Sequence, residues 1–399
     1  MTESRASTMF DIRTFREGYG RFVTDDRILL TGHSHQAWPD VARHAMVEAF
    51  DDAARFVDDK WGNAVFPKMA TVGGRILERL GFPQTDAITF GKSTHELVTR
   101  LLSCFPLSSK TTIVTTTGEF HSLYRQLSRL SEEGVRVVWV DGSDRQTLAD
   151  RLIEAIVPGV SLVAFSGVFF GDAFVLPRIG EIAQRAMDVG AIPLVDAYHA
   201  FNVVPLEWGP VRDKLFVTAG GYKYAQMGEG ICFLRVPADT TLRPMDTGWF
   251  ADFPALERER DGKIEYGPRG ERFSGATFDP TPFYRADAVL RHFDSFGLTV
   301  EQLREISLRQ TKRILDVLDD AGLGGQVVSP RLDERRGGFV AIRCAQAPNV
   351  VARLRARGVF SDARNDVLRL GPAPYLYDEE IDRGTRIAAE EMQREKAAE

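Results

Sequence analysis

The chain has 399 residues, of which 44% are hydrophobic and 27% are charged, and its formal net charge is -6. This composition is typical of soluble globular proteins and excludes collagen-like, low-complexity and disordered chains. Because acidic residues outnumber basic ones, we expect no broad basic surface for nucleic acid or anionic membranes, and small molecules or proteins as partners.

Three further features predict a cytoplasmic location. Residues 1–22 mix both charge signs and lack the apolar centre of a signal peptide. No apolar run approaches the roughly 18 residues of a membrane span. The three cysteines are an odd number spread far apart, which argues against a disulfide framework and a thiolate metal site.

Short apolar runs rich in Val and Ile recur through the first two thirds of the chain and predict buried strands. They are residues 87–90, 111–116, 135–140, 161–166, 191–195, 215–218 and 231–236. Between two of them, Ile179, Ile182, Ala183 and Ala186 repeat at helical spacing. Alternating strands and helices predict a mostly parallel sheet, in which ligands collect at the carboxyl ends of the strands.

The last third of the chain has a different pattern. Residues 257–272 are charged and contain glycine, which predicts an exposed loop. Helical patterns follow, with one strand candidate at residues 338–344. We therefore predict an α/β fold with a large cofactor-binding domain at residues 45–282. A smaller α+β domain would combine residues 1–44 and 283–399.

An acid and a lysine each follow a predicted strand. Asp196 comes directly after residues 191–195, and Lys223 comes shortly after residues 215–218, beside two glycines. Pyridoxal phosphate catalysis needs this pair, because a lysine holds the cofactor aldehyde as a Schiff base while a carboxylate pairs with the pyridine nitrogen. The alternative is an ordinary surface lysine and a capping acid, which the joint occurrence of these residues disfavours.

Two further segments suit a bound phosphate and ring. Ser93 and Thr94 follow a predicted strand and begin a helix, whose free N–H groups attract anions. The Ser-x-x-Glu spacing to Glu96 is equally explained as a capping box. Phe120 follows another strand, where it could stack on a pyridine ring or simply pack in the core.

Arg369 lies between the last predicted strand and the closing helix. Its guanidinium offers a rigid fork for a substrate α-carboxylate. Metal binding is not expected, because His33 and His35 are the only close histidine pair and no His-Glu-x-x-His pattern occurs.

Together these motifs resemble the fold type I, class V pyridoxal phosphate enzymes, and within them the kynureninases. The segment from Asp196 to His199 is similar to the kynureninase Asp-x-x-His, and residues 222–224 are similar to its Tyr-Lys-Tyr. The resemblance implies that Lys223 forms the Schiff base, Asp196 meets the pyridine nitrogen, and His199 lies near the cofactor. It implies that a tyrosine of the Tyr-Lys-Tyr segment contacts the phosphate, and we predict that Tyr222 binds the cofactor. We predict these four as the catalytic residues.

The same resemblance implies further cofactor contacts: Phe120 at the ring-stacking position, and Ser93 with Thr94 at the phosphate turn. Two residues would contact the cofactor of a neighbouring subunit. Trp249 belongs to a segment similar to the family's Gly-Trp, and Thr277 belongs to a segment that resembles one found in class V enzymes. Arg369 takes the carboxylate-binding role. The predicted assembly is therefore a homodimer that binds pyridoxal phosphate.

Two segments depart from the family. Kynureninases usually begin with Gly-Asn-Ser-Leu-Gly, whereas residues 32–36 here read Gly-His-Ser-His-Gln, and we expect Ser34 and His35 to contact substrate. The family's Ser-Asn-Pro-Pro is replaced by Thr-Phe-Asp-Pro at residues 277–280. These positions would contact the substrate side chain, so the sequence leaves open whether the substrate is kynurenine or another amino acid.

We predict a pyridoxal phosphate enzyme that cleaves the Cβ–Cγ bond of an α-amino acid, as kynureninases do. The alternatives are a class V aminotransferase and a β-elimination lyase of the cysteine desulfurase type. Desulfurases carry a nucleophilic cysteine before the arginine, and between residues 339 and 369 this chain has only Cys344, inside a predicted strand. A non-catalytic binding or regulatory protein on the same fold is the alternative from another class.

Overall fold

The computed structural model describes residues 10–258 and 262–398. Parts of two sequence predictions, residues 1–9 of the opening stretch and residues 259–261 of the charged loop, therefore lie outside the described residues. The helices are α1 (Ile12–Glu17), α2 (Asp40–Phe56), α3 (Phe66–Arg79), α4 (Thr94–Leu102), α5 (His121–Glu132), α6 (Leu148–Ala155), α7 (Ile179–Asp188), α8 (Thr281–Ser295), α9 (Val300–Asp320), α10 (Ala347–Ala356) and α11 (Asp378–Ala398).

The strands follow the same chain order. They are β1 (Ile28–Leu29), β2 (Ala87–Gly91), β3 (Thr112–Thr116), β4 (Arg136–Val140), β5 (Leu162–Ser166), β6 (Ile192–Asp196), β7 (Phe216–Gly220), β8 (Cys232–Val236), β9 (Val340–Arg343), β10 (Val359–Phe360), β11 (Asp362–Arg364) and β12 (Val367–Leu370). Each run that the sequence predicted as a strand contains one.

A seven-stranded sheet forms the centre of the molecule, in the order β2-β8-β7-β6-β5-β3-β4. Strands β7, β6, β5, β3 and β4 are parallel, and β8 runs antiparallel to both of its neighbours. Every residue of β5 and β7 is buried, which explains their unbroken apolar runs. The predicted mostly parallel sheet is confirmed.

Helices cover this sheet with their apolar faces. In α7, the predicted stripe of Ile182, Ala183 and Ala186 is fully buried and belongs to the main core cluster. Because β3, β5, β6 and β7 are parallel to one another, their carboxyl ends lie at the same end of the sheet. Residues that follow these four strands are therefore brought together.

A second sheet, in the order β11-β12-β9, is antiparallel and comes from the last third of the chain. The N-terminal segment joins this region, because β1 pairs in parallel with β10. Arg16 donates two hydrogen bonds to the Glu380 carboxylate, at 2.7 and 2.8 Å, and both side chains are buried.

The predicted exposed loop after residue 256 is only partly irregular. Residues 262–265 are exposed and have neither helix nor strand, whereas Arg269–Phe273 forms a short 3-10 helix with a buried Phe273. Within residues 10–258 and 262–398, no helix is long and apolar enough to cross a membrane. The same residues contain no group of three His, Cys, Asp or Glu side chains arranged to hold a metal ion.

Candidate active site

A cavity of about 200 Å³ opens at the carboxyl ends of the parallel strands. Most of the predicted cofactor residues line it: Ser93, Thr94, Phe120, Asp196, His199, Tyr222 and Lys223. They come from the starts of α4 and α5 and from the segments after β6 and β7. The sheet topology therefore gathers residues that lie up to 130 positions apart in the sequence.

Lys223 and His199 form the buried centre of the cavity. The Lys223 Nζ lies 2.6 Å from the His199 Nε2, and the two residues are 7% and 5% exposed. Burial, reinforced by the nearby Arg369 charge, lowers the pKa of Lys223 to about 7. Burial and the neighbouring Lys223 hold the pKa of His199 well below its usual value. The pair therefore carries at most one positive charge near neutral pH.

Asp196 is the last residue of β6. Its Oδ1 accepts a hydrogen bond of 2.8 Å from the backbone N–H of Tyr198, which fixes the orientation of the carboxyl group. Burial raises the pKa of Asp196, while the Lys223 charge opposes that rise. The cavity thus contains a carboxyl group and an amine that influence each other through a region of low dielectric.

Ser93 has the structural role that its spacing indicated. It is the N-cap of α4, and its hydroxyl accepts a hydrogen bond of 3.2 Å from the Glu96 backbone N–H. Ser93 and Thr94 also line the cavity, as does Lys92. The capping and anion-binding interpretations are therefore compatible, because the same helix start is capped and faces the cavity.

Aromatic rings surround the lysine. The Lys223 Nζ lies 5.7 Å from the Phe120 ring centroid, 5.1 Å from that of Tyr198 and 5.7 Å from that of Tyr222. Phe120 is the N-cap of α5 and is 37% exposed, so it is not the core residue that the alternative interpretation required. Flat apolar walls of this kind suit a planar cofactor ring.

Arg369 on β12 is almost fully buried and already has an anionic partner. Its Nε donates a hydrogen bond of 2.9 Å to the Asp362 Oδ1, and its Nη2 donates to the Asp362 Oδ2. Its Nη1 donates to the Phe170 backbone oxygen at 2.8 Å. Asp362 and Arg369 face each other across the β11–β12 hairpin. No sequence motif indicated this partner, although the spacing of Asp362 and Arg369 around a short Asn-Asp turn fits a hairpin.

His33 completes this buried ion pair. Its Nε2 lies 2.8 Å from the Asp362 Oδ1, and its ring is fully buried and stacked on Phe339. The His33 Nδ1 has no hydrogen-bond partner among the described residues. A proton there would have no acceptor, and burial lowers the pKa of His33 to about 4. His33 therefore donates to Asp362 as a neutral ring.

Ser34 and His35, which we predicted to bind substrate, lie beside the cavity and not on its wall. The His35 ring stacks on Tyr222 with centroids 4.6 Å apart, and its Nε2 lies 3.3 Å from the Glu229 Oε1. The Ser34 hydroxyl lies 3.2 Å from the His35 Nδ1. Both residues reach the cavity through Tyr222, and their substrate role stays a prediction.

Trp249 and Thr277 do not line the cavity of their own chain. The Trp249 Nε1 donates a hydrogen bond of 3.2 Å to the Thr277 hydroxyl, and both residues are exposed. The two residues that the resemblance assigns to a neighbouring subunit therefore lie together on the surface.

Glu119 is a buried acid that none of the sequence motifs indicated. Its carboxyl group accepts hydrogen bonds of 2.6 Å from the hydroxyls of Thr116 and Ser166. Burial raises the pKa of Glu119 to about 7. Ser166 pairs with Asp196 in the β5–β6 register. An acid three residues after the end of a buried strand, a weaker form of the signal that identified Asp196, could have found it.

The cavity residues fit pyridoxal phosphate. The buried Lys223 amine suits the cofactor aldehyde, Asp196 suits its pyridine nitrogen, and the start of α4 suits its phosphate. The His199 Nδ1 is buried without a hydrogen-bond partner among the described residues, so a polar group is available to a molecule that enters the cavity.

Comparisons with known proteins agree with this geometry. The family described as "Kynureninase C-terminal domain" matches residues 303–387. A kynureninase from Bacillus mycoides is 26% identical over 405 aligned residues, covering 94% of this chain and 90% of the relative. A kynureninase from Salinispora tropica is 31% identical over 258 residues, covering 60% of this chain and 58% of the relative.

Solved structures show the same fold at lower identity. An apo cysteine desulfurase from Thermococcus onnurineus has a TM-score of 0.76 at 19% identity, covering 99% of this chain and 100% of that one. The cystine C–S lyase C-DES, in complex with its product cysteine persulfide, has a TM-score of 0.78 at 16% identity, covering 93% and 99%. The chain is thus a pyridoxal phosphate-dependent enzyme of fold type I, class V, and a relative of the kynureninases.

Proposed function

We propose that the protein binds an α-amino acid and hydrolyses the Cβ–Cγ bond of its side chain, as a kynureninase does, and that it acts in the cytoplasm. The observation that carries this proposal is the buried contact of 2.6 Å between Lys223 and His199, in one cavity with Asp196. When bound, pyridoxal phosphate supplies an aldehyde for amine condensation and a ring that accepts an electron pair.

Lys223 is suited to move a proton at the substrate Cα. A general base or acid works best when its pKa lies near the working pH, and burial and Arg369 lower the pKa of Lys223 to about 7. The neutral His199 ring lies within hydrogen-bond distance of the amine and orients it. When the cofactor is bound, Asp196 would pair with the pyridine nitrogen, and Phe120 would offer a face for the ring.

Arg369 is suited to hold the substrate carboxylate. Three of its five N–H groups are used by Asp362 and the Phe170 oxygen. One N–H remains on each of Nη1 and Nη2, so the guanidinium can still donate two hydrogen bonds to a carboxylate; Arg369 itself lies behind the cavity wall and is not one of its lining residues. A carboxylate fixed there would direct the Cα–H bond toward Lys223.

A substrate with a γ-carbonyl fits the hydrolytic reaction. Water held near His199 or Tyr222 would add to that carbonyl carbon, the Cβ–Cγ bond would break, and a proton would return to Cβ. The balanced products are alanine and the carboxylic acid of the side chain. Kynurenine has this arrangement, and so do other γ-oxo amino acids.

Product analysis tests the proposal directly. The holoenzyme is incubated with a panel of amino acids that includes kynurenine and 3-hydroxykynurenine, and the products are identified by mass spectrometry. We expect alanine and one side-chain acid in equal amounts. Quantitative pyridoxamine phosphate without a side-chain fragment would overturn the proposal in favour of an aminotransferase, and pyruvate or sulfide would do so in favour of a β-eliminating lyase.

We also propose that two copies pair so that Trp249 and Thr277 complete the cofactor site of the neighbouring subunit. Both are exposed, and Trp249 packs against Phe253, which is itself 41% exposed. An apolar surface of this kind suits burial against a second copy. Sedimentation at low concentration is expected to give a dimer.

A subunit-mixing experiment tests the shared site. Lys223→Ala and Thr277→Ala each damage every site of their own homodimer. In mixed dimers one site keeps both residues, so mixing two weakly active proteins is expected to restore activity. No gain on mixing, with exchange of subunits verified, would contradict the shared site.

The two-domain division, with residues 45–282 as one unit and residues 1–44 plus 283–399 as the other, remains part of the proposal. The β1–β10 pairing and the Arg16–Glu380 ion pair support it, because both join the N-terminal segment to the last third of the chain.

A further inference from the structure

Gly220, the last residue of β7, leaves no room for a side chain. A Cβ atom at this position would lie 2.2 Å from the Tyr198 hydroxyl oxygen and 2.6 Å from the Cys232 Sγ. Tyr198 follows Asp196 by two residues and lines the cavity. The missing side chain therefore allows a tyrosine hydroxyl to lie directly against the backbone of β7.

The Tyr198 hydroxyl lies at the same end of the cavity as the start of α4. It is 3.7 Å from the Cys232 Sγ. Burial raises the pKa of the Cys232 thiol to about 11, against hydrogen bonds from the Tyr198 hydroxyl and the Thr94 backbone N–H. The hydroxyl and the first N–H of α4 therefore converge on one sulfur atom, beside Ser93.

The Tyr198 hydroxyl has two neutral hydrogen-bond partners, the Cys232 thiol and the Tyr222 hydroxyl, and both are weaker acceptors than an anion. Burial raises the pKa of Tyr198 far above its usual value, so the hydroxyl keeps its proton at any physiological pH. A thiol sulfur is a weak acceptor, and a phosphate oxygen is a much stronger one. Lys92 and Thr94 also line the cavity, so they offer an anion further hydrogen-bond donors and a positive charge.

We propose that Tyr198 donates a hydrogen bond to the phosphate of the cofactor, and that Gly220 is the residue that gives its hydroxyl room to do so. The inference rests on pyridoxal phosphate binding and not on the reaction that follows. It concerns Tyr198, to which neither the strand-end motifs nor the family resemblance assigned a role.

The test compares two ligands that differ only in the phosphate. Apoprotein is titrated with pyridoxal phosphate and with pyridoxal, and the two dissociation constants are measured by absorbance. For Tyr198→Phe we expect the constant for pyridoxal phosphate to rise at least about tenfold and that for pyridoxal to stay unchanged. Tyr124→Phe is the matched control, because Tyr124 is exposed on α5 and packs on Trp139.

Equal weakening of both ligands by Tyr198→Phe would overturn the proposal, because it would place Tyr198 at the ring and not at the phosphate. A wild-type protein that binds pyridoxal as tightly as pyridoxal phosphate would overturn it too. Failure of amino-acid cleavage alone would count only against the proposed reaction. Thermal unfolding of each apoprotein separates these effects from a loss of folding.

Gly220 is tested by a double-mutant cycle. Gly220→Ala would displace the hydroxyl and is expected to weaken pyridoxal phosphate binding about as much as Tyr198→Phe. The cycle is measured in a Cys232→Ala background, which removes the sulfur atom that the added methyl group would also meet. With Tyr198→Ala added to that background the methyl group meets no hydroxyl, so it should cost little more. Gly62→Ala is the control, since a Cβ there meets nothing within 4 Å. Equal costs of Gly220→Ala in both backgrounds would overturn the role of Gly220.

Discussion

The two halves of the candidate site are built differently. The cofactor half consists of Lys223, His199 and Asp196, which follow adjacent parallel strands of one sheet. The carboxylate half consists of Arg369, Asp362 and His33, which come from the small antiparallel sheet and the N-terminal segment. In the first half a cation meets a neutral ring, and in the second a cation is already paired with an anion.

This difference shows where each half obtains its chemistry. In the cofactor half, the amine is buried with few compensating charges, so its pKa lies near 7 and it can exchange protons. In the carboxylate half, hydrogen bonds from His33 and Arg369 outweigh the effect of burial and hold the pKa of Asp362 well below its usual range. The first half is suited to proton transfer, and the second to holding a permanent charge in place.

The strongest way to break the cofactor half is to remove its amine. Lys223→Ala is expected to reduce turnover more than about a hundredfold, some 2.7 kcal/mol of activation barrier, because no other amine of the cavity lies beside His199. Turnover and the borohydride-sensitive absorption band of the bound cofactor are the measurements. Lys214→Ala, at an exposed lysine paired with Asp239, is the control. A smaller loss would show that Lys223 is not the catalytic lysine.

The carboxylate half is expected to fail in acid. Burial lowers the pKa of His33 from about 6.5 to about 4, so the folded state binds fewer protons than the unfolded state between these values. The His33 contribution to stability is therefore complete above about pH 6.5 and is lost as the pH falls toward 4. A difference of this size corresponds to about 3 kcal/mol.

His33→Gln removes the titrating ring and keeps a donor for Asp362. When the pH is lowered from 6.5 to 4, the free energy of unfolding should therefore fall by about 3 kcal/mol less in this variant than in the wild type. Urea titration at several pH values measures this difference. The exposed His44 provides the control variant His44→Gln. Identical pH profiles of the wild type and His33→Gln would contradict the assignment.

The residues of the cofactor half could be predicted from the sequence, whereas the contacts of the carboxylate half could not, and the reason is physical. Asp196, His199 and Lys223 follow strands with unmistakable apolar runs, and parallel topology forces such strand ends together. Arg369 could be noticed by its position, but its pairing with Asp362 depends on a hairpin register, and the contact of His33 with Asp362 joins segments 329 positions apart. No local pattern encodes a contact of that kind.

The same limit explains the residues at the edge of the site. Ser93 was recognised through the spacing of a capping box, and the structure shows that cap. Tyr198 was not recognised, because its hydroxyl position depends on the absence of a side chain at Gly220, on a different strand. A local motif such as the Ser93 cap can be read from the sequence. A pair of residues on different strands, such as Tyr198 and Gly220, can be recognised only from the folded structure.

A milder change tests whether Arg369 acts through its shape or through its charge. Arg369→Lys keeps a cation beside Asp362 but loses the planar fork, so the KM for an α-amino acid is expected to rise about tenfold, with a smaller change in kcat. Steady-state kinetics measure both. Arg343→Lys, at an exposed arginine of the neighbouring strand β9, is the control. An unchanged KM would show that the substrate carboxylate binds elsewhere.

The smallest expected effect joins the two halves. The Asp362 carboxylate is one of the charges that raise the pKa of Lys223, against burial and Arg369, which lower it to about 7. Asp362→Asn removes that negative charge, so the neutral amine should persist to lower pH. The rate at which apoprotein combines with pyridoxal phosphate depends on this neutral amine and should rise with pH through a midpoint near 7.

In Asp362→Asn this midpoint should shift downward by a fraction of a pH unit, whereas Arg369→Lys, which keeps its charge, should leave it nearly unchanged. Asp366→Asn, at the exposed turn of the same hairpin, is the control for a change of net charge. A midpoint that moves equally in Asp362→Asn and Asp366→Asn would mean that Lys223 responds to total charge and not to its buried neighbour. A shift confined to Asp362→Asn would show that the ion pair which positions Arg369 also tunes the amine that moves the proton.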